Sequence, residues 1–266
     1  MSDVDGFRGR SVVITGAAGG IGTALAHRYG RDGARIALLD IDRSALQARA
    51  AELGEKGIEA LPIECDVTSL ENCREAIAEV TDAWGGVDVL INNAGVTHLS
   101  QFADTEVEVI RRVMELNFFG AVHCTKAALD SLVERRGRIA VLSSVAGFSP
   151  LATRCGYSAA KHALHGMFDS LRPELRASGV TVTIVCPFFV KTDMGDRALG
   201  GDGGKPRMAR TQTGTPSDPG WLADEIHRAV SRGRRLLVPS RGAKLSYVVS
   251  RLLPGFYERM MARRIM

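Results

Sequence analysis

The sequence contains no apolar run approaching the ~18 residues that a membrane-spanning helix requires. Its first ten residues, MSDVDGFRGR, lack the apolar core of a secretory signal. No C-x-x-C pair occurs, and the five cysteines (Cys65, Cys73, Cys124, Cys155 and Cys186) are scattered and odd in number. Such spacing excludes a disulfide framework, so reduced thiols and a cytoplasmic setting are expected. His162 and His165 lack further ligand-type residues at metal-binding spacing, so no metal is expected. No composition break divides the 266 residues, and 45% hydrophobic with 24% charged residues describes one ordinary globular α/β domain spanning 1–266.

A net positive charge is also missing from most of the chain. Residues 232–266 hold nine Lys or Arg against the single acid Glu258, whereas the rest carries 25 basic and 29 acidic residues. The body therefore offers no field for a polyanion, and no nucleic-acid partner is expected.

What is present begins at Ser11–Gly22, SVVITGAAGGIG. A short β-branched run meets Gly16, and Gly20 and Gly22 open an amphipathic helix running toward Arg31. The unpaired N–H groups and positive dipole end of such a helix receive a pyrophosphate without a cationic side chain. The spacing is G-x-x-x-G-x-G, not the G-x-G-x-x-G dinucleotide fingerprint. Downstream, strands are predicted at 35–40, 60–66, 87–91, 138–142, 180–185 and 235–238, with helical patterns between them. Thr68 with Glu71, and Thr105 with Glu108, have capping-box spacing. The second of these starts a long helix through Asn117 to about Arg135, and a further helix is expected from Tyr157 to Arg176 with Pro173 disturbing its last turn. Strand and helix alternation implies a doubly wound, seven-stranded parallel sheet with helices on both faces, a Rossmann fold whose ligands lie beyond the carboxyl ends of the strands.

Polar residues gather at those ends. Asp40 closes the second strand, where a carboxylate accepts hydrogen bonds from the adenosine ribose and repels a 2′-phosphate. That favours NAD over NADP, although the nearby Arg43 leaves NADP open. Asp66 suits either the adenine edge or a loop cap. Tyr157 and Lys161 stand four apart on one helix face, and an ammonium beside a phenol lowers its pKa toward the range of a usable base. Ser144 leaves a central strand and can hold the same substrate oxygen against that phenol.

Taken together, Thr15-Gly16-x-x-x-Gly20-x-Gly22, Asn92-Asn93-Ala94-Gly95, Asn117, Ser144 and Tyr157-Ser-Ala-Ala-Lys161 resemble the signature set of the short-chain dehydrogenases/reductases, in order and spacing from residue 10 to about 192. The resemblance implies NAD(P)-dependent oxidation of a secondary alcohol or reduction of a ketone. Tyr157 would be the general acid/base, Ser144 the oxygen-positioning donor, Lys161 a ribose ligand that tunes Tyr157, and Asn117 the holder of a relay water. It further implies cofactor contacts at Gly16, Gly20, Ile21, Gly22, Asp40, Asp66, Val67, Asn93, Ala94, Gly95, Tyr157, Lys161, Pro187, Val190 and Thr192, and a homodimer or homotetramer built on the helices that carry Asn117 and Tyr157. One departure stands out: Phe188 follows Pro187 where the family usually has glycine.

The expected substrate lining, Val145, Phe148, Leu151, Phe188 and Phe189 with Ser144, is mostly apolar and points to a small lipophilic alcohol or ketone of steroid, terpenoid or acyl type. Arg154 reads as a solvated loop residue or as a partner for a substrate acid. Residues 193–215 form a glycine-rich loop expected to act as a mobile lid. The extension at 241–266 places Leu245, Val248, Val249, Leu252 and Leu253 on one stripe between basic residues, which suits packing on the body or on a second subunit, or peripheral contact with an anionic membrane. NADPH-dependent carbonyl reduction and non-catalytic NAD(H) sensing are the alternatives to NAD-dependent alcohol oxidation.

Overall fold

Each central strand sends alternate side chains into two separate apolar layers, which is why these strands read as unbroken apolar runs. In the computed structural model, which describes residues 6–208 and 215–262, Val12, Ile14, Ile36, Leu38, Val89 and Ile91 enter one layer. Val13, Ala37, Leu39, Leu90, Ile139 and Val141 enter the other. The strands are β1 (Ser11–Thr15), β2 (Arg35–Asp40), β3 (Ala60–Glu64), β4 (Val89–Asn92), β5 (Arg138–Leu142), β6 (Thr181–Val185) and β7 (Leu236–Leu237). All pair in parallel, in the order β3-β2-β1-β4-β5-β6-β7.

The first layer is closed by α1 (Gly20–Arg31), α2 (Arg43–Glu55) and α7 (Pro219–Ser231), through residues such as Leu25, Leu46 and Ile226. The second is closed by α3 (Leu70–Trp84), α5 (Gly120–Glu134) and α6 (Cys155–Glu174), through Ile77, Leu132 and Phe168. Because β1 pairs with both β2 and β4, the chain reverses its direction across the sheet at β1, and the loops leaving β1 and β4 part to open a crevice at their carboxyl ends. This is the doubly wound Rossmann architecture. Two helices, α8 (Arg241–Leu252) and α9 (Pro254–Ala262), extend past the sheet on the crevice side.

The helix starts differ from the capping-box reading. Ser69, not Thr68, caps α3, accepting from the Asn72 N–H at 3.3 Å. The Thr68 hydroxyl is engaged by Asp66 at 2.7 Å. Thr105 likewise turns back to the Gln101 carbonyl at 2.6 Å, and α4 (Val107–Met114) begins after Glu106 with no side-chain cap. The long helix through Asn117 is not regular: a π-turn, Glu115–Phe119, joins α4 to α5. The Asn117 side chain itself occupies the Val113 carbonyl at 2.8 Å, so the widened turn leaves that acceptor satisfied. Pro173 sits one residue before the end of α6, as the sequence predicts.

Residues 193–208 of the expected lid make backbone contacts with the body. Leu199 pairs with His98 as a parallel bridge, and the Glu106 N–H donates to Gly201 O at 2.8 Å. Residues 209–214 of the expected loop lie outside the described residues. No described helix is long and apolar enough to cross a membrane.

Candidate active site

The crevice between β1 and β4 is built by backbone approach. Gly16 has φ +62°, and a Cβ there would stand 2.8 Å from Ala94 Cα. A Cβ on Gly22 would fall 2.3 Å from Gly16 O, so Gly22 serves the packing of α1 on the turn and does not line the cleft. Thr15 clamps the two strand ends: its Oγ1 accepts from the Asn93 and Ala94 N–H groups, both at 3.0 Å, while Asn93 Nδ2 donates to Thr15 O and Gly16 O. The resulting cleft is lined by Gly16, Gly20, Ile21, Asp40, Asp66, Val67, Asn93, Ala94, Gly95 and Thr192. Asp40 accepts from the Ala18 N–H at 3.1 Å, which fixes its carboxylate at the rim of the glycine turn. Asp66 is held by the Thr68 N–H and hydroxyl. Arg43 does not line the cleft; it is exposed and lies 4.0 Å from Glu64. The cation of the cleft wall is Arg197, which the sequence reading passed over because it lies in an aperiodic segment.

A second cavity opens from the first along Ile21, Asn93, Thr192 and Met194, which line both. Ser144, Tyr157, Lys161, Pro187 and Val190 form its floor, with Val145, Leu151, Phe188 and Phe189 among its walls. The rings of Phe188 and Phe189 pack edge to face at 4.9 Å. Phe148, expected in this wall, is not there: its ring packs on Tyr247 of α8 at 4.9 Å, an apolar contact the cavity would not give it. In its place the cavity takes Ser246, Tyr257, Met260 and Met261 from the C-terminal helices. The Ser149 hydroxyl donates to Tyr257 Oη at 3.3 Å and ties this wall to the body.

Burial raises the Tyr157 pKa above that of a free phenol, while the hydrogen bond from Ser144 and the charge of Arg154 pull it down. Burial holds the Lys161 ammonium down at about 7. Its Nζ donates to Leu142 O at 2.7 Å and lies 5.5 Å from the Tyr157 ring centre. Arg154 is thus a second cation, beside the Lys161 that the sequence reading named, whose charge lowers the phenol pKa. Arg154 is only 9% exposed and lines the cavity, which overturns its reading as a solvated loop residue.

Tyr157 is positioned from a distance. Gly156 N–H, an open donor in the first turn of α6, donates to His98 Nε2 at 3.0 Å. His98 Nδ1 therefore carries the proton toward Ser100 Oγ at 3.2 Å. Burial and then the Arg154 charge depress the His98 pKa, which keeps the ring neutral and able to accept. Asn117 lines neither cavity. Its Nδ2 donates to Val96 O and Val113 O, while its Oδ1 is buried without a hydrogen-bond partner among the described residues. A Cβ on Gly95 would lie 2.6 Å from that Oδ1 and 3.6 Å from Lys161 Nζ, so both atoms border one small space.

These residues fit a bound dinucleotide. The glycine turn leaves room for phosphates that side chains would fill, Asp40 lies at the rim of that turn, and an unpartnered acceptor and a lysine meet beside Gly95. Among the described residues no three His, Cys, Asp or Glu side chains gather as a metal site.

A family model described as short chain dehydrogenase matches residues 10–200. The chain is 39% identical over 261 residues to Dehydrogenase/reductase SDR family member 7B of Danio rerio, covering 95% of this chain and 84% of that protein. It is 34% identical to the Mus musculus protein of the same name, covering 97% and 82%, and 34% identical to Dehydrogenase/reductase SDR family protein 7-like of Drosophila melanogaster, covering 96% and 80%. The fold superposes with a TM-score of 0.83 on the crystal structure of a short-chain dehydrogenase/reductase from Burkholderia phymatum in complex with NAD, at 23% identity over 92% of this chain and 94% of that one. With a β1–β4 crevice built on Gly16 and Gly20, a Ser144–Tyr157–Lys161 floor and a family match over 10–200, the chain belongs to the short-chain dehydrogenase/reductase family of oxidoreductases.

Proposed function

We propose that this protein transfers a hydride between NAD(H) and a lipophilic secondary alcohol or ketone. The observation that carries the reading is the second cavity, open to the first, where Ser144, Tyr157 and Lys161 share one floor beneath an apolar chamber walled by Leu151, Phe188, Phe189 and Met260. Such a chamber suits a steroid-, terpenoid- or acyl-like substrate. Asp40 at the ribose end, with Arg43 turned away, favours NAD over NADP. Arg197 on the cleft wall is the one observation that speaks for a phosphate contact, and thus for NADPH as the second reading.

When bound, the nicotinamide supplies the hydride acceptor or donor. The chain supplies the proton path. Ser144 orients the substrate oxygen beside Tyr157, and the phenol oxygen takes the hydroxyl proton during oxidation or returns it during reduction. Lys161, held near neutrality by burial, exchanges a proton over the pH range in which the site works. Asn117 Oδ1, buried without a partner among the described residues, and Lys161 Nζ both lie beside Gly95, and a water held between them would pass the proton outward. Phe119 of the π-turn and Val133 of α5 are exposed, which favours the homo-oligomer expected on the helices that carry Asn117 and Tyr157, read by light scattering.

The test is NADH formation by the purified protein with NAD and a panel of steroid, terpenoid and long-chain secondary alcohols, beside Tyr157→Phe. Turnover that falls by about 10²–10⁴ in the variant is expected. NADH binding without turnover of any alcohol, or of the matching ketones with NADH or NADPH, would replace this reading with that of a dinucleotide sensor.

A further inference from the structure

The C-terminal helices bury little of themselves. In α8 and α9 only Ala243, Tyr257 and Met261 are buried, and the last two face the substrate cavity. The other side presents Leu245, Val248 and Leu252, spaced three and four apart, followed by Leu253 and Phe256, all at 49–73% exposure. Five of the eleven large hydrophobic side chains exposed among the described residues thus crowd into positions 245–256. Single exposed apolar residues are ordinary, but a contiguous patch marks a surface that something covers. Arg241, Lys244, Arg251 and Arg259 are exposed along its rim.

We propose that the α8–α9 face docks on the surface of an anionic lipid bilayer. An apolar stripe with a cationic border matches that partner on both counts: leucine and phenylalanine enter the acyl boundary, and lysine and arginine stay among acidic headgroups. Charge selects against the other occupants. A second copy would set the strongly basic 232–266 segment, nine basic residues and one acid, against its equal. A nucleic acid would neutralise the rim and leave Leu252, Leu253 and Phe256 in water. Since Tyr257, Met260 and Met261 wall the cavity from the inner side of the same helices, docking holds the chamber beside the lipid and gives an apolar substrate an entry that avoids water. That consequence rests on the lipophilic-substrate reading; the docking does not.

The experiment is co-sedimentation of the full-length protein with phosphatidylcholine vesicles and with phosphatidylcholine–phosphatidylglycerol vesicles, at low and high salt. The acidic vesicles are expected to carry the protein down, less so at high salt. Leu252→Ser/Phe256→Ser and, separately, Lys244→Glu/Arg251→Glu should each weaken binding by about tenfold or more, with unchanged thermal midpoints. Absence of sedimentation with acidic vesicles, or equal sedimentation of wild type and both variants, overturns the proposal. So does a dimer in light scattering that becomes a monomer in Leu252→Ser/Phe256→Ser, which assigns the face to a second copy. Sedimentation that survives alongside failure of every lipophilic alcohol leaves the docking standing and removes only the substrate reading.

Discussion

The two ends of the sheet handle buried charge in opposite ways. At the amino end, Asp88 is 2% exposed, yet its carboxylate receives Arg10, Arg135 and the Ser11 N–H within 2.9–3.2 Å. Burial pushes its pKa up, but Arg135, the Ser11 N–H and Arg10 outweigh this and hold it below the ordinary carboxylate range. At the carboxyl end, Lys161 is 3% exposed and donates to a neutral carbonyl, that of Leu142, with no carboxylate paired to it among the described residues. Its pKa falls accordingly, to about 7. One end spends its buried charge on cohesion, since a fully compensated ion is inert. The other leaves its ion uncompensated, and such a group changes protonation within the working pH range.

Lys161→Met gives the largest effect on this contrast. Turnover should fall by about 10² or more, while the ligand-free protein should become more stable, because the cost of burying an ammonium disappears. Thermal melts with and without NADH check this; a variant less stable than wild type at pH 7 would show that the lysine is structural. Asp88→Ala should do the reverse, costing about 1–3 kcal/mol by stranding the buried Ser11 N–H, with kcat/KM per folded molecule unchanged.

The two ends also separate by pH. The folded pKa of Lys161 lies below its unfolded value near ~10.4, so the unfolded chain holds more protons between about 7 and 10 and stability rises across that window. Asp88, with its folded pKa depressed, contributes stability above the unfolded value near ~3.9, and this is lost as pH falls through the folded value. Denaturation series should lose the alkaline slope in Lys161→Met and the acidic slope in Asp88→Asn. The smallest effect belongs to Arg197→Ala, about threefold to tenfold in dinucleotide affinity, because this arginine is exposed. A larger loss with NADPH than with NADH would assign it to a 2′-phosphate.

Local pattern carried most of the architecture. The apolar runs at 11–15, 35–40 and 138–142 became strands because a parallel sheet buries both faces and needs no partner-specific signal. The glycine turn, Asp40 and the Tyr157–Lys161 pair were legible because each is fixed by backbone geometry within a few residues. What stayed hidden depends on distant partners. The α6 terminus begins at Cys155, earlier than its own sequence indicates, and the adjoining Gly156 N–H is met by His98, 58 positions away. Thr68 and Ser69 are equivalent caps on paper until Asp66 captures one of them. Phe148 faces away from the cavity because Tyr247, a hundred residues on, offers a better surface.

The π-turn at Glu115–Phe119 behaves as a phase corrector in a gear train. The buried residues Val109, Val113, Asn117 and Ala121 stand four apart, and on a regular α-helix such a stripe would precess by about 40° per step. The wider i→i+5 turn takes up that drift, so Asn117 still meshes with Gly95 and Lys161 while α5 continues along the sheet through Cys124, Ala128 and Leu132. Removing Leu116 or Phe118 would restore an ordinary helix and throw the two halves out of step. The helix would gain regularity, and the carbonyl oxygen beside the lysine would turn out of reach.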